Sequence, residues 1–174
     1  MVVVSVLTIV GGLAAARVLS PADHSRGYAA ARYFAGRLGL TRVQAVARGT
    51  AIGLRFDQTP RGITFSVFQD GNGNGIRSAD IQAGIDHLLE RATALSDQFP
   101  GVDIGLAPNS PATDALQIGP TNLLTFTPLG TATSGTIYIS DRAGTQWAVR
   151  VLGATGRTRV LRYDPSTRSW LVAH

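Results

Sequence analysis

The spacing of hydrophobic residues changes near position 49 and divides the chain into a helical part and a β-rich part. Residues 22–49 are rich in Ala, Arg and Leu and contain no proline, which favours a continuous helix. Four apolar residues recur at helical spacing on one face of this segment: Ala31, Phe34, Leu38 and Ala45. Because Gly49 suits the left-handed conformation that ends many helices, the pattern predicts an amphipathic helix that stops there.

Beyond residue 49 the hydrophobic positions alternate with polar ones, which is typical of half-buried strands. Similar runs, separated by Gly and Pro, predict strands at 50–57, 62–70, 101–107, 122–128, 135–141, 146–152 and 157–163. Within residues 79–98 we expect a short helix with Ser78 as its cap. The predicted fold is α+β, with a long N-terminal helix packed on a mainly antiparallel sheet domain over residues 50–174.

The first sixteen residues, MVVVSVLTIVGGLAAA, carry no charge. As a helix they would span about 24 Å, which is less than the roughly 30 Å hydrocarbon core of a bilayer. The segment fits three interpretations: a membrane anchor, a cleaved secretory signal ending in the Ala14-x-Ala16 pair, or a buried core helix. We favour the membrane anchor, as part of an apolar helix over residues 1–21.

Composition and motifs argue against catalysis and against a cofactor. The absence of cysteine excludes disulfides, thiolate metal sites and thiol catalysis. The three histidines, His24, His87 and His174, lack metal-ligand spacing, and no nucleophile elbow or phosphate-binding loop is present. We therefore expect no enzyme activity, no cofactor and no small-molecule substrate.

The stretch FQDGNGNGIR begins like a calcium loop, with Asp70, Asn72 and Asn74 at alternate positions. Such a loop needs a bidentate glutamate at position twelve, where this chain has Ile81. Asn-Gly pairs also form tight turns because they tolerate positive φ. We interpret the stretch as a structural turn, with a calcium site as the alternative.

All sixteen basic residues are arginine, and the formal net charge is +5. A GC-rich genome accounts for this bias, but guanidinium groups also bind phosphates well. In the segment TGRTRVLRY, strand alternation puts Arg157 and Arg159 on one face, and Arg162 joins them only if the strand ends or bulges. We propose these three arginines as a candidate DNA-binding patch, with Tyr163 or Trp170 stacking on a base. The alternative is a charged face that protects an edge strand.

Three segments carry a resemblance to a known family: FQDGNGNG, FTPLGTATSGTIYISD and TGRTRVLRYDPSTRSW. Together with the apolar start and the amphipathic helix, they make the chain similar to GspH/FimT-type minor pseudopilins of type II secretion systems and type IV pili. Members of that family normally begin with a prepilin signal ending in Gly, followed by Phe-Thr-Leu-x-Glu. That motif does not occur in this sequence, so neither cleavage nor N-methylation is assigned to a residue.

The resemblance implies a structural protein of filament assembly and protein secretion. The N-terminal helix would hold the subunit in the inner membrane as a single span and later pack against other pilin or pseudopilin subunits. The globular domain would be periplasmic until assembly. FimT-type members include subunits that bind extracellular DNA for natural transformation, and Gly156, Arg157 and Arg159 match their binding segment, with Arg162 extending it loosely.

Overall fold

The computed structural model describes the backbone of residues 21–173 and the side chains of residues 25–173. Helix α1 spans Pro21–Arg48 and is followed by Gly49, whose φ of 62° is left-handed. The predicted apolar segment lies, apart from Pro21, outside the described residues. Within the described part of the chain, no helix combines the length and apolar character needed to cross a membrane.

The rest of the described chain forms two antiparallel sheets. The first has the order β3-β2-β1-β6 and the second the order β10-β9-β8-β7-β4, with β5 also paired to β7. The strands are β1 Ile52–Thr59, β2 Gly62–Gln69, β3 His87–Ala94, β4 Val102–Ile104, β5 Leu116–Gln117, β6 Leu123–Phe126, β7 Gly135–Asp141, β8 Gln146–Leu152, β9 Arg157–Asp164 and β10 Ser169–Val172. The predicted α+β class is therefore confirmed.

The short helix expected within residues 79–98 is present at the start of that range, but its predicted cap is wrong. A short helix, α2, covers only Ser78–Gln82, and a strand and a 3₁₀ turn, Leu95–Asp97, follow it. Ser78 is not the cap, since Arg77 precedes the helix and makes no side-chain capping bond. The Leu, Glu, Arg and Ala residues of β3 favour a helix locally. Pairing with β2 outweighs that preference, because the segment completes the edge of the first sheet.

The core lies between α1 and the two sheets. The four residues predicted to share a helix face, Ala31, Phe34, Leu38 and Ala45, are fully buried. Phe34 contacts Phe65 of β2 with ring centroids 5.2 Å apart, and Phe56 of β1 at 6.2 Å. On the second sheet, Trp147 of β8 packs against Tyr28 of α1 at 5.6 Å. Helix α1 thus covers one face of each sheet. On the other face of the second sheet, Tyr138, Ala148 and Leu161 form a second buried cluster with Ala112 and Trp170, and the part beyond that cluster is exposed.

Candidate anion-binding surface and the acidic loop

Strands β8 and β9 form a regular hairpin whose pairing determines which arginines share a face. Arg150 lies directly opposite Arg159, and Leu152 lies directly opposite Arg157. All four side chains are exposed and lie on the face of the second sheet that points away from α1. Arg157 and Arg159 therefore lie together, as the sequence predicts.

Arg162 does not join them. It pairs with Trp147, and the β8–β9 ladder runs from that pair to Leu152 and Arg157 without a register shift. Because no bulge intervenes, Arg162 keeps the opposite parity and lies on the helix side of the sheet. There it is half-buried and lines an open cleft of about 360 Å³ with Asn109 and Asp164.

Arg150 is the arginine that the sequence analysis missed. The segment QWAVRVL contains a signal for it, since Arg150 alternates with Trp147, Val149 and Val151, which face the core. Its neighbours across the hairpin, however, depend on the register between β8 and β9, and the sequence does not state that register. The three outward arginines are therefore Arg150, Arg157 and Arg159.

The predicted stacking residues lie further along the same face. Trp170 of β10 contacts Tyr163 at a centroid distance of 5.3 Å and Tyr138 at 5.7 Å. Tyr138 is buried and its hydroxyl donates to Gln117 Oε1 over 3.2 Å. Burial raises the pKa of the Tyr138 phenol, and the nearby Arg150 charge opposes that rise. The rings thus contact one another and form a small aromatic cluster beside the arginines.

The charges of the outward arginines are not balanced by carboxylates within the described part of the chain. The ion pairs seen there join Arg37 to Glu90 and Arg55 to Asp57, on the helix and the first sheet. Arg150, Arg157 and Arg159 have no such partner among the residues described. This face can therefore attract an anionic group from outside the domain.

The loop that resembles a calcium site is organised by two buried carboxylates. Asp70 accepts hydrogen bonds from the backbone N–H groups of Asn72, Gly73 and Gly75, at 2.7 to 3.1 Å. Asp86 likewise accepts bonds from the backbone of Gly71 and Arg77. Such carboxylate-to-backbone bonds are what hold an Asn-Gly-rich turn in shape.

The side chains of the loop contact each other. The amide groups of Asn72 and Asn74 donate to Asp80, at 3.5 and 2.9 Å. Among the described residues, no group of three or more His, Asp or Glu side chains is arranged to hold a metal ion. The backbone of the loop donates to both oxygens of Asp70, and the turn interpretation stays a prediction.

Two of the sequence segments that carry the resemblance meet at one helix residue. Arg42 of α1 donates from Nε to the carbonyl of Gly130 over 2.9 Å. A Cβ on Gly156, whose φ is 60°, would lie 2.5 Å from that same carbonyl and 2.7 Å from Arg42 Cδ. The glycines of FTPLG and TGR are thus required because two turns and one arginine side chain pack closely here.

The described residues define an α+β protein, with a long helix packed on two antiparallel sheets and a β-rich part built around glycine turns. A comparison with protein-family models matches residues 30–156 to the family described as Type II transport protein GspH. That span is well over half of the chain, and the chain belongs to the GspH family. The predicted resemblance to a GspH-type pseudopilin is thereby confirmed.

Solved structures of similar fold include two of the minor pseudopilin EpsH from the type II secretion system of Vibrio cholerae. The first is 20% identical, with a TM-score of 0.49, and the match covers 79% of this chain and 97% of that one. The second is 18% identical, also with a TM-score of 0.49, covering 78% and 93%. The comparison with curated proteins gave no match.

Proposed function

We propose that this chain is a minor pseudopilin of a type II secretion pseudopilus, acting as a structural subunit without catalysis. The observation that carries the proposal is the match to the GspH family over residues 30–156. The apolar N-terminal segment would hold the subunit in the inner membrane, with the globular domain in the periplasm. On assembly, that segment and α1 would pack against other pseudopilins.

A second apolar face on α1 supports an assembly role. Leu40 and Val43 lie opposite the face formed by Phe34, Leu38 and Ala45, and Val43 is 58% exposed. A helix that is apolar on two opposite sides is typical of a helix covered on both. Within the described part of the chain, the side with Phe34, Leu38 and Ala45 is covered and the side with Leu40 and Val43 is exposed, so the exposed side is available to a neighbouring subunit.

Cross-linking in cells tests this role, since the chain has no cysteine and an introduced one is unique. Val43→Cys in the full chain should cross-link to another pseudopilin of the same secretion machine. Val43→Asp should reduce both assembly and secretion, because it places a charge in an apolar contact. Leu88→Asp, at a similarly exposed position on β3, should change neither. If cells that carry Val43→Cys still secrete but the subunit forms no cross-link to another pseudopilin, the proposal is contradicted.

DNA capture through the arginines, as in FimT-type pilus subunits, is the second candidate function. What favours it is that Arg157 and Arg159 share an exposed face with Arg150. The full chain would be tested for DNA binding at two salt concentrations. Loss of three phosphate contacts in an Arg150→Ala/Arg157→Ala/Arg159→Ala variant should flatten the log–log salt slope by roughly 2 to 3 units. Arg162→Ala serves as the control, and an equal effect there would contradict the assignment to this face.

A further inference from the structure

On the face of the second sheet that points away from α1, one end combines arginine charges with an exposed leucine. We call Arg150, Leu152, Arg157 and Arg159 the hairpin patch, since they form a two-by-two block on β8 and β9. Leu152 is 59% exposed, although its strand neighbours of opposite parity are buried. An apolar side chain with charged side chains around it has the composition of a small protein contact surface, with an apolar centre and a polar rim.

The hairpin patch contains an unfavourable pair of like charges. Arg150 and Arg159 lie directly opposite one another on adjacent strands, where like charges repel. Arg157 adds a third positive charge two residues away on the same face. A partner that brings carboxylates to these three groups would relieve the repulsion, so binding and charge neutralisation would favour each other.

A second exposed leucine lies close to the same end of the sheet. Leu129 is 90% exposed and precedes Gly130, whose carbonyl packs against Gly156 in the turn between β8 and β9. Its turn is held by Arg42 and by hydrogen bonds between Thr127 and Thr131, including one of 2.7 Å between their hydroxyls. A leucine presented on a fixed turn loses little conformational freedom when a partner covers it.

We infer that the hairpin patch docks a neighbouring pseudopilin subunit, through a surface of that subunit which has an apolar side chain surrounded by carboxylates. The inference rests on the proposed assembly function and names its partner. Charge complementarity carries it: three clustered arginines, without carboxylate partners in the described part of the chain, belong to a chain of net charge +5.

The same observations favour a protein over a nucleic acid. Base stacking would need exposed aromatic rings near the arginines. Tyr138, whose phenol lies near the Arg150 charge, is buried, and Tyr163 lies four residues beyond Arg159, which is roughly 13 Å along the strand. Buried Leu161 lies between them, and the rings are already in contact with each other. A phosphate backbone offers nothing for Leu152 to bury against, whereas an apolar side chain on a protein does.

The test uses full-length protein in cells that carry the complete secretion machine. Leu152→Cys, labelled with a maleimide photo-cross-linker, should form an adduct with one tagged pseudopilin, at a peptide that contains Asp or Glu. Adding Arg150→Glu, Arg157→Glu and Arg159→Glu should lower the adduct yield about tenfold. The matched control, Arg61→Glu, Arg77→Glu and Arg91→Glu, makes the same charge change at exposed positions elsewhere and should leave the yield unchanged. Reversing the mapped carboxylates to arginine should restore the adduct with the charge-reversed patch.

Each other outcome has a distinct meaning. If Val43→Cys cross-links but Leu152→Cys does not, or if charge reversal leaves its adduct unchanged, the docking inference is wrong and the assembly role stands. If neither cysteine cross-links to a pseudopilin, the assembly role is wrong too. If Leu152→Cys forms no pseudopilin adduct and the Arg150, Arg157 and Arg159 substitutions abolish salt-dependent DNA binding, DNA capture replaces the inference.

Discussion

The two faces of the β8–β9 hairpin differ sharply although they are made by the same residues in alternation. Trp147, Val149 and Val151 of β8 face α1 and are almost completely buried. On the other face, Ala148 is buried in a second, small cluster, whereas Arg150 and Leu152 further along the strand are exposed. One strand therefore contributes both to the core and to a charged outer surface.

This difference separates stability from recognition. On the inner face each side chain is fixed by close packing, so a change of shape alters the free energy of unfolding. On the outer face the hairpin patch touches little of its own domain, and its composition is free to suit a partner. Substitutions on the two faces should consequently change different measurements, and the following predictions test that separation in order of decreasing effect.

Trp147→Ala should have the largest effect. It removes a buried indole and its 3.3 Å hydrogen bond to the buried Asp141 carboxylate. We expect the free energy of unfolding to fall by about 3–5 kcal/mol, measured by urea denaturation. Leu152→Ala on the same strand should change it by less than about 0.5 kcal/mol. Similar losses for both variants would show that the outer face is also packed.

Gly156→Ala tests the turn that joins the two strands. An alanine there would adopt φ near 60° and would also overlap the Gly130 carbonyl and the Arg42 side chain. The left-handed conformation and the overlap together should lower the free energy of unfolding, measured by urea denaturation, by about 2–4 kcal/mol. Gly144→Ala has φ near 78° with open space around it, so only the conformational cost of about 1 kcal/mol is expected. Equal losses would mean that the Arg42 contact contributes nothing.

Much of the fold follows from the spacing of hydrophobic residues within single segments of the sequence. The buried face of α1 is visible in the spacing of Phe34 and Leu38, and strands β7 and β8 coincide with the predicted segments. Strand β3 was not predicted, because the helix preference of its residues is local, while their pairing with β2 is a contact between distant segments. The short strands β5 and β10 also depend on neighbours, and so they were not predicted.

In the candidate site, too, local patterns did not predict contacts between distant segments. Alternation alone placed Arg157 and Arg159 on one face and assigned Arg162 the opposite parity. It did not identify Arg150, because cross-strand neighbours are set by register and the length of the intervening turn. The Asp70 loop is similar: the sequence suggested a turn, but the role of Asp86 as a second organising carboxylate required the folded chain.

Gly27→Ala tests how closely the inner face approaches the helix. A Cβ at this position of α1 would overlap the Asp141 carboxylate and the Trp147 indole nitrogen. We expect the free energy of unfolding, measured by urea denaturation, to fall by about 1–3 kcal/mol, because the helix must shift outward. Gly36→Ala on the same helix has no atom within 4 Å and should instead stabilise the domain by about 0.4–1 kcal/mol. A gain for both variants would show that α1 is not seated tightly on the second sheet.

Arg159→Glu should have the smallest effect and the opposite sign, because it acts on the outer face. The substitution replaces the repulsion between Arg150 and Arg159 with an attraction across the same strand pair. At low salt the free energy of unfolding should rise by about 0.2–1 kcal/mol. That gain should shrink at 1 M NaCl, where charges are screened beyond about 3 Å.

Arg91→Glu, on exposed β3, makes the same change in net charge without an opposing arginine and should show no such gain. An equal gain for Arg91→Glu would attribute the effect to net charge, and a loss for Arg159→Glu would show that the domain itself requires the arginine at this position.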